Sequence, residues 1–243
     1  MNVLVINSSP RREHSNTALI LNPFLEGLKE AGADIELFYT KDLDIKPCTG
    51  EFHCWIKRPG ECYQKDDMQI LYPKLQTADI LVFATPVYVD GVTGPLKNLL
   101  DRMIPLVKPF FELRHGHCRH PPREVELKGK LVLVSNCGFW ELDNFDPLIM
   151  HMKAMCKNMS REFAGALLRP HGPAAAAMKR SGSSADDVFT AANEAGLQLI
   201  RQGYIADETL KTVSHELLSL EEYVNRVNRN FRQALEARTI EEP

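Results

Sequence analysis

The run DILVFA at residues 79–84 constrains the fold of this chain more than any other stretch. It is apolar on both faces of an extended strand, which is typical of strands buried in a parallel sheet that helices cover on both sides. Strand-like and helix-like stretches alternate along the chain, and this alternation predicts an α/β fold with right-handed crossovers. The predicted strands are residues 3–6, 34–39, 79–84, 128–135 and 162–168, and the predicted helices between them are residues 16–31, 66–76, 95–103 and 145–159.

Five parallel strands joined by helices suit a doubly wound sheet of the flavodoxin-like type, with strand order 2-1-3-4-5. We expect one domain over residues 1–243, in which residues 1–168 form the sheet core. The remaining residues, 169–243, predict a helical extension after a break at residues 171–173. The helices predicted in this extension are residues 184–203 and 217–237.

Composition narrows the range of partners. A net charge of −3 over 243 residues gives no general reason to expect binding to nucleic acid or to an anionic membrane. The chain starts directly with a strand, without the basic and apolar regions of a secretory signal, and it lacks an apolar run long enough for a membrane span. We therefore expect a cytoplasmic protein whose six cysteines form no structural disulfides.

The loop at residues 7–17, NSSPRREHSNT, joins the first predicted strand to the first predicted helix. A helix N-terminus offers unpaired N–H groups and a partial positive charge, which suit an anion. The hydroxyls of the loop add hydrogen-bond donors, and its two arginines add guanidinium groups that suit a phosphate. The loop is therefore predicted to hold the terminal phosphate of a cofactor. The alternative is that Ser15, Asn16 and Thr17 only cap the helix.

Two further loops follow the third and fourth predicted strands, at residues 85–94 and 136–144. Because the carboxyl ends of parallel strands meet at one edge of a sheet, these loops are expected beside the loop at residues 7–17. Ligands of open α/β sheets bind at this edge, near the point where the strand order reverses. We therefore expect the three loops to form one ligand site.

With these loops in place, the chain resembles the NAD(P)H-dependent FMN reductases and iron–sulfur flavoproteins of the flavodoxin-like superfamily. The resemblance spans roughly residues 1–168 and rests on four motifs, which occur in the right order and on the right elements. The motifs are SSPR at residues 8–11 followed by SNT at 15–17, ADILVFATPVY at 78–88 followed by Gly91, Thr93, Gly94, Leu96, Lys97, Asp101 and Arg102, the cysteine stretch from Cys48 that runs into Asp66, Asp67 and Met68, and SNCGF at 135–139.

The resemblance implies that the chain binds FMN. Pro86 would stiffen the turn beside the flavin, and Gly91 would let the backbone come close. The alternatives are that Tyr88 is a packed surface aromatic and that Cys137 is a small buried apolar residue. In neither case do we assign Cys137 a redox role. The residues carried over by position are Ser9, Arg11, Ser15, Asn16 and Thr17 for the phosphate, Pro86, Val87, Tyr88 and Gly91 for the ribityl chain and one side of the isoalloxazine ring, and Cys137 and Gly138 for its pyrimidine edge.

The iron–sulfur members of this group carry a C-x2-C-x2-C-x7-C motif, and three of its four positions are Cys48, Cys54 and Cys62. The second position is Glu51, and a hard carboxylate is a poor replacement for a thiolate on an iron–sulfur cluster. We therefore expect a cap loop without a [4Fe–4S] cluster or another metal, with zinc or a redox disulfide as alternatives. The histidines and cysteine at residues 115–120 have no recognised zinc spacing, so this segment is predicted to be a surface loop.

If FMN is bound, it carries the chemistry, taking a hydride from NAD(P)H and passing electrons to a small acceptor such as a quinone or a flavin. The protein would fix the ring and donate hydrogen bonds to the anionic reduced flavin, without a side chain as general acid or base. The alternatives are an electron-transfer flavoprotein, with or without an iron–sulfur link, and a flavin-binding sensor. The aromatic cap loop and the long helical extension predict a homodimer or homotetramer.

Overall fold

In the computed structural model, which describes residues 1–123, 129–182 and 185–241, five parallel strands form one sheet. Two shorter strands form an antiparallel hairpin beside it. In chain order the strands are β1 (Asn2–Asn7), β2 (Asp34–Tyr39), β3 (Ile80–Pro86), β4 (Glu112–Arg114), β5 (His117–Arg119), β6 (Lys130–Asn136) and β7 (Glu162–Arg169). The sheet order β2-β1-β3-β6-β7 confirms the predicted 2-1-3-4-5 arrangement.

Helices connect the strands and continue beyond the last one. All four helices predicted in the first 168 residues are present, with ends that differ by one or two residues from the prediction. In chain order the helices are α1 (Asn16–Glu30), α2 (His53–Ile56), α3 (Met68–Thr77), α4 (Gly94–Asp101), α5 (Asp146–Met159), α6 (Gly172–Ser181), α7 (Asp186–Arg201), α8 (Asp207–Ser214) and α9 (Leu220–Glu241).

The side chains of β3 explain why its sequence is apolar throughout. Leu81 and Phe83 face a core that α3, α4 and α5 complete, and both are fully buried. Ile80, Val82 and Ala84 face the opposite core, which α1 and α7 complete. The predicted burial of this strand on both faces is therefore confirmed.

The structure differs from some of the predicted elements. The predicted break at residues 171–173 is the beginning of α6, because Pro173 occupies its first turn and four good helix formers, the alanines at 174–177, follow. The segment at 115–120, predicted to be a surface loop, is exposed at residues 115–118, but it contains the turn and the second strand of the β4–β5 hairpin. The prediction also missed α8, which is too short to show a clear periodicity. The predicted starts at residues 128 and 184 lie outside the described residues.

The helical extension packs on the sheet through α7. Gly27 of α1 and Gly196 of α7 bring the two helices into close approach, since a Cβ on Gly27 would overlap the carbonyl oxygen of Asn193. A Cβ on Gly196 would likewise overlap the carbonyl oxygen of Phe24. By contrast, most side chains of α9 that the structure describes are exposed. Among the described residues, none of the helices has both the length and the apolar character needed to cross a membrane.

Candidate functional site

A cavity of about 170 Å³ lies at the carboxyl ends of β1, β3 and β6. The three loops predicted to form one ligand site all contribute to its walls. Nine of the eleven residues carried over by resemblance line this cavity, and Ser15 and Gly91 do not. The complete lining is Ser9, Arg11, Asn16, Thr17, Pro86, Val87, Tyr88, Asn136, Cys137, Gly138 and Pro173.

The first loop leaves backbone N–H groups without partners at the start of α1. Ser15 is buried and its hydroxyl caps the helix, accepting a hydrogen bond from the Ala18 N–H at 3.1 Å. The N–H groups of Asn16 and Thr17 form no hydrogen bond with any described residue, as expected in the first turn of a helix. These two amides and the positive end of the helix dipole are therefore available to a phosphate.

The two arginines of this loop have different surroundings. Arg12 forms an ion pair with Asp42, which uses its guanidinium on the protein itself. Arg11 lines the cavity and is exposed, and it forms no ion pair within the described part of the chain. Of the two arginines, Arg11 is therefore the one whose charge is available to an anion.

Buried polar side chains link the first and third loops below the cavity. The Thr17 hydroxyl donates to the Asn136 side-chain oxygen at 2.6 Å, which links the first loop to the end of β6. The Ser9 N–H donates to the Asn7 side-chain oxygen at 2.9 Å. The amide nitrogen of Asn7 is buried and has no hydrogen-bond partner among the described residues. An unpartnered buried donor of this kind costs free energy.

The second loop ends in a tight turn at the mouth of the cavity. Tyr88 and Gly91 exchange backbone hydrogen bonds of 3.0 and 3.2 Å across it. Val89 and Asp90 between them have φ values of 47° and 61°. A β-branched residue rarely takes a positive φ, so the turn holds Val89 in a strained conformation, and strain of this kind is concentrated at functional sites. Val89 is also 99% exposed, which leaves an apolar side chain at the rim.

The third loop is held tightly on its inner side. The Val87 N–H donates to the Asn136 carbonyl at 2.9 Å, which fixes the second loop to the third. Cys137 is only 3% exposed, and burial raises the pKa of its thiol above the usual value. Its sulfur donates to the Phe139 carbonyl at 3.3 Å. Cys137 is thus a packed, protonated thiol that forms part of the cavity wall. The N–H of the next residue, Gly138, has no hydrogen-bond partner among the described residues.

The helical extension supports the third loop. The sequence analysis did not predict this support. The Tyr223 hydroxyl, at the beginning of α9, donates to the Gly138 carbonyl at 2.5 Å. The Trp140 indole N–H donates to the Leu218 carbonyl at 2.9 Å, just before α9. The His171 N–H donates to the Phe139 carbonyl at 2.6 Å. No local pattern in the sequence of α9 marks these contacts.

Two buried side chains anchor the segment that leads into α9. The fully buried imidazole of His171 accepts a hydrogen bond from the Leu217 N–H at 3.0 Å. Burial, reinforced by the nearby Arg169 cation, lowers the pKa of His171 to about 4. The Arg169 guanidinium donates to backbone carbonyls, including that of Val213 at 2.7 Å at the end of α8. Burial lowers its pKa to about 10, and the negative end of the α8 dipole favours its charge.

The cap loop between β2 and α3 is anchored by a buried ion pair. Arg102 donates two hydrogen bonds of 2.6 and 3.1 Å to the Asp66 carboxylate, and both side chains are essentially fully buried. Burial alone would raise the pKa of Asp66, but the hydrogen bonds from Arg102 lower it overall. Arg102 also donates to the Lys46 carbonyl at 2.7 Å, two residues before Cys48. The start of the cap is therefore fixed to the core.

A family model described as NADPH-dependent FMN reductase matches residues 1–143, which is more than half of the chain. The chain therefore belongs to the NADPH-dependent FMN reductase family. The resemblance inferred from its motifs is confirmed.

Curated relatives of the chain are named iron–sulfur flavoproteins. An iron–sulfur flavoprotein of Archaeoglobus fulgidus is 41% identical over 102 residues, which cover 42% of this chain and 48% of the relative. One of Methanocaldococcus jannaschii is 36% identical over 115 residues, which cover 47% of this chain and 58% of the relative. The chain thus spans about half the length of these relatives.

Among solved structures, an FMN-dependent NADH-azoreductase of Bacillus anthracis in complex with FMN aligns with a TM-score of 0.59 at 15% identity. The alignment covers 83% of this chain and 100% of that one. At this identity the likeness shows the fold alone. It confirms the flavodoxin-like arrangement of the sheet and its helices.

The cap does not fit the cluster that the relatives' name implies. Cys48, Glu51, Cys54 and Cys62 line one cavity of about 20 Å³, room for about one water molecule, far less than a four-iron cluster requires. The Thr49 hydroxyl donates to the Glu51 carboxylate and lowers its pKa, so this position offers a hard, ionised oxygen. Burial and the neighbouring Cys62 raise the pKa of Cys54 to about 11. Within the described ranges, no three His, Cys, Asp or Glu side chains are placed to share a metal ion.

Proposed function

We propose that this protein is an FMN-dependent oxidoreductase that takes electrons from NAD(P)H and passes them to a small acceptor. The observation that carries the proposal is the convergence of three loops on one cavity at the carboxyl edge of the sheet. Open α/β sheets bind ligands at this edge, and membership of the NADPH-dependent FMN reductase family supports FMN as the ligand.

The residues of the cavity fit FMN at its two ends. The amides of Asn16 and Thr17, together with Arg11, would hold the phosphate, because N–H groups without partners and an unpaired cation suit an anion. The unpartnered N–H of Gly138 suits an oxygen at the pyrimidine edge of the ring. When bound, FMN supplies the chemistry of hydride acceptance and electron transfer.

The chain's own part is to bind and orient the ring. Pro86 and Val87 would form a rigid wall beside it, since the Val87 N–H is tied to the Asn136 carbonyl. The amide of Gly138 would donate to the charge that develops on the ring during reduction. Cys137 is buried and protonated, so we assign it a packing role and no part in proton transfer.

We further propose that a second copy of the chain covers the mouth of the cavity, giving a homodimer or homotetramer. Three apolar side chains surround this mouth and are exposed in the single chain: Tyr88 by 52%, Val89 by 99% and Phe139 by 68%. The exposed α9, with Phe231 at 67%, adds another apolar surface. Apolar surface of this kind, grouped at a ligand site, is typical of an interface between subunits.

Anaerobic reduction tests the proposal. The purified protein, reconstituted with FMN, is mixed with NADPH or NADH without oxygen while the visible absorption of the flavin is followed. Rapid bleaching by one of the nucleotides, followed by reoxidation with a quinone, is the expected result. A protein that stays colourless after reconstitution would refute FMN binding.

The electron-transfer flavoprotein is the second candidate, and the relatives named iron–sulfur flavoproteins favour it. It predicts slow bleaching by both nucleotides and rapid reduction by a reduced ferredoxin. Analysis of iron and acid-labile sulfide in anaerobically purified protein separates the two further. We expect less than one [4Fe–4S] cluster per chain in the wild type, because Glu51 replaces one of the four thiolates.

A further inference from the structure

A second cavity, of about 370 Å³, lies between α6 and the first half of α9. Its volume falls in the range of pockets that hold small organic molecules, roughly 300 to 1,000 Å³. Most of its lining is apolar, and both helices lie beyond the residues that the family model matches. The apolar side chains that line it are Pro173, Ala174, Ala177, Met178, Leu218 and Val227.

This cavity adjoins the candidate FMN site. Pro173 lines both cavities, so a single side chain separates them at this point. Tyr223 also lines the second cavity, and its hydroxyl holds the carbonyl of Gly138, which lines the first. The Gly172 N–H donates to the Cys137 carbonyl at 3.0 Å, so α6 itself begins against the third loop. A molecule at the flavin ring could therefore extend past Pro173 into the second cavity.

The charges around the second cavity do not select an ion. Its only charged lining residue among those described is Arg226, whose guanidinium donates to Glu222 at 2.5 Å, one turn earlier in α9. The cation is thus already neutralised by a partner on its own helix. An uncharged apolar group would bury apolar surface there without stripping water from an unpaired charge.

We propose that the second cavity holds the apolar side chain of a quinone acceptor whose ring lies in the FMN site. This inference rests on the proposed function, and it adds to it a place that binds the side chain of the acceptor. In the reaction NAD(P)H gives up a hydride and solvent supplies one proton. The quinone takes up two electrons and two protons and leaves as the hydroquinone.

The test compares two quinones with the same ring, one with an isoprenoid side chain and one without it. For the wild type, we expect kcat/KM to be about tenfold higher or more for the quinone with the side chain, because a fitting apolar pocket discriminates by at least this factor. Ala177→Trp fills the cavity from an exposed position of α6. It should remove the preference and leave the reduction of the ring-only quinone unchanged.

Arg180→Trp is the matched control, since it adds the same side chain to α6 outside both cavities. The inference is overturned if the wild type shows no preference, or if Ala177→Trp slows both quinones equally. A change of oligomeric mass in Ala177→Trp, measured by light scattering, would also overturn it, because a second chain would then occupy the cavity. If the wild type does not reduce even the ring-only quinone, the proposed function is refuted instead.

Discussion

Replacing Arg11 tests whether this side chain binds the phosphate of FMN, independently of the contacts to the rest of the cofactor. Arg11 lines the cavity without an ion-pair partner among the described residues, whereas the neighbouring Arg12 is paired with Asp42. Arg11→Ala should therefore weaken the binding of FMN, and Arg12→Ala should leave it nearly unchanged. Riboflavin, which has the same ring and ribityl chain but no phosphate, should bind equally well to both variants and to the wild type.

The magnitude follows from the exposure of the guanidinium. Hydrogen bonds to charged groups contribute about 1.5 to 3 kcal/mol net, and solvent screening at an exposed side chain favours the lower end. A loss of about 1.5 kcal/mol corresponds to roughly a tenfold increase in the dissociation constant of FMN. Because the interaction is between charges, the difference from the wild type should shrink as salt is added.

Titration of the apoprotein, followed by the quenching of flavin fluorescence, measures these dissociation constants. The dissociation constant of FMN divided by that of riboflavin should rise about tenfold in Arg11→Ala and change by less than about twofold in Arg12→Ala. Equal weakening of FMN and riboflavin binding by Arg11→Ala would refute the phosphate assignment. So would an effect of Arg12→Ala as large as that of Arg11→Ala.

Three further predictions concern the supports of the site. Tyr223→Phe removes one hydrogen bond to the third loop and should raise the dissociation constant of FMN about two- to tenfold without unfolding the protein; an unchanged constant would contradict this support. Asp66→Asn leaves Arg102 buried without its counter-ion and should lower the free energy of unfolding, measured by urea denaturation, by about 3 to 5 kcal/mol. The exposed control Asp101→Asn should lower it by at most about 0.5 kcal/mol. Similar losses in the two variants would contradict the anchoring role of the Asp66–Arg102 pair. Burial lowers the pKa of His171 from 6.5 to about 4. Between pH 6.5 and pH 4 the unfolded chain therefore binds more protons at this residue than the folded chain. The free energy of unfolding should decrease by up to about 3 kcal/mol as the pH falls through this range. His171→Asn should lose this pH dependence, and its persistence would show that another group titrates.

The strands of the sheet were predictable because each has a local pattern that burial dictates. The run at residues 79–84 is apolar throughout since helices cover both of its faces, as β3 shows. The position of the three loops then followed from the parallel order of the strands. Nine of the eleven residues named by resemblance share one cavity for this reason.

The supports of the site could not be read in the same way, because they are contacts between distant parts of the chain. Tyr223 lies 85 residues from Gly138, and no local pattern marks a hydrogen bond of this range. Arg11 and Arg12 are equivalent in sequence, and only the neighbouring Asp42 distinguishes them in space. Ser15 has the same hydroxyl as a phosphate ligand, but the geometry of the helix start uses it as a cap.

A crystal structure of the protein with FMN would show directly whether the three loops hold the cofactor. We expect density for one FMN in the cavity at the ends of β1, β3 and β6. Its phosphate should lie within hydrogen-bond distance of the Asn16 and Thr17 amides, with the ring beside Pro86 and Val87. Density for FMN at any other place, or a phosphate directed away from the start of α1, would contradict it.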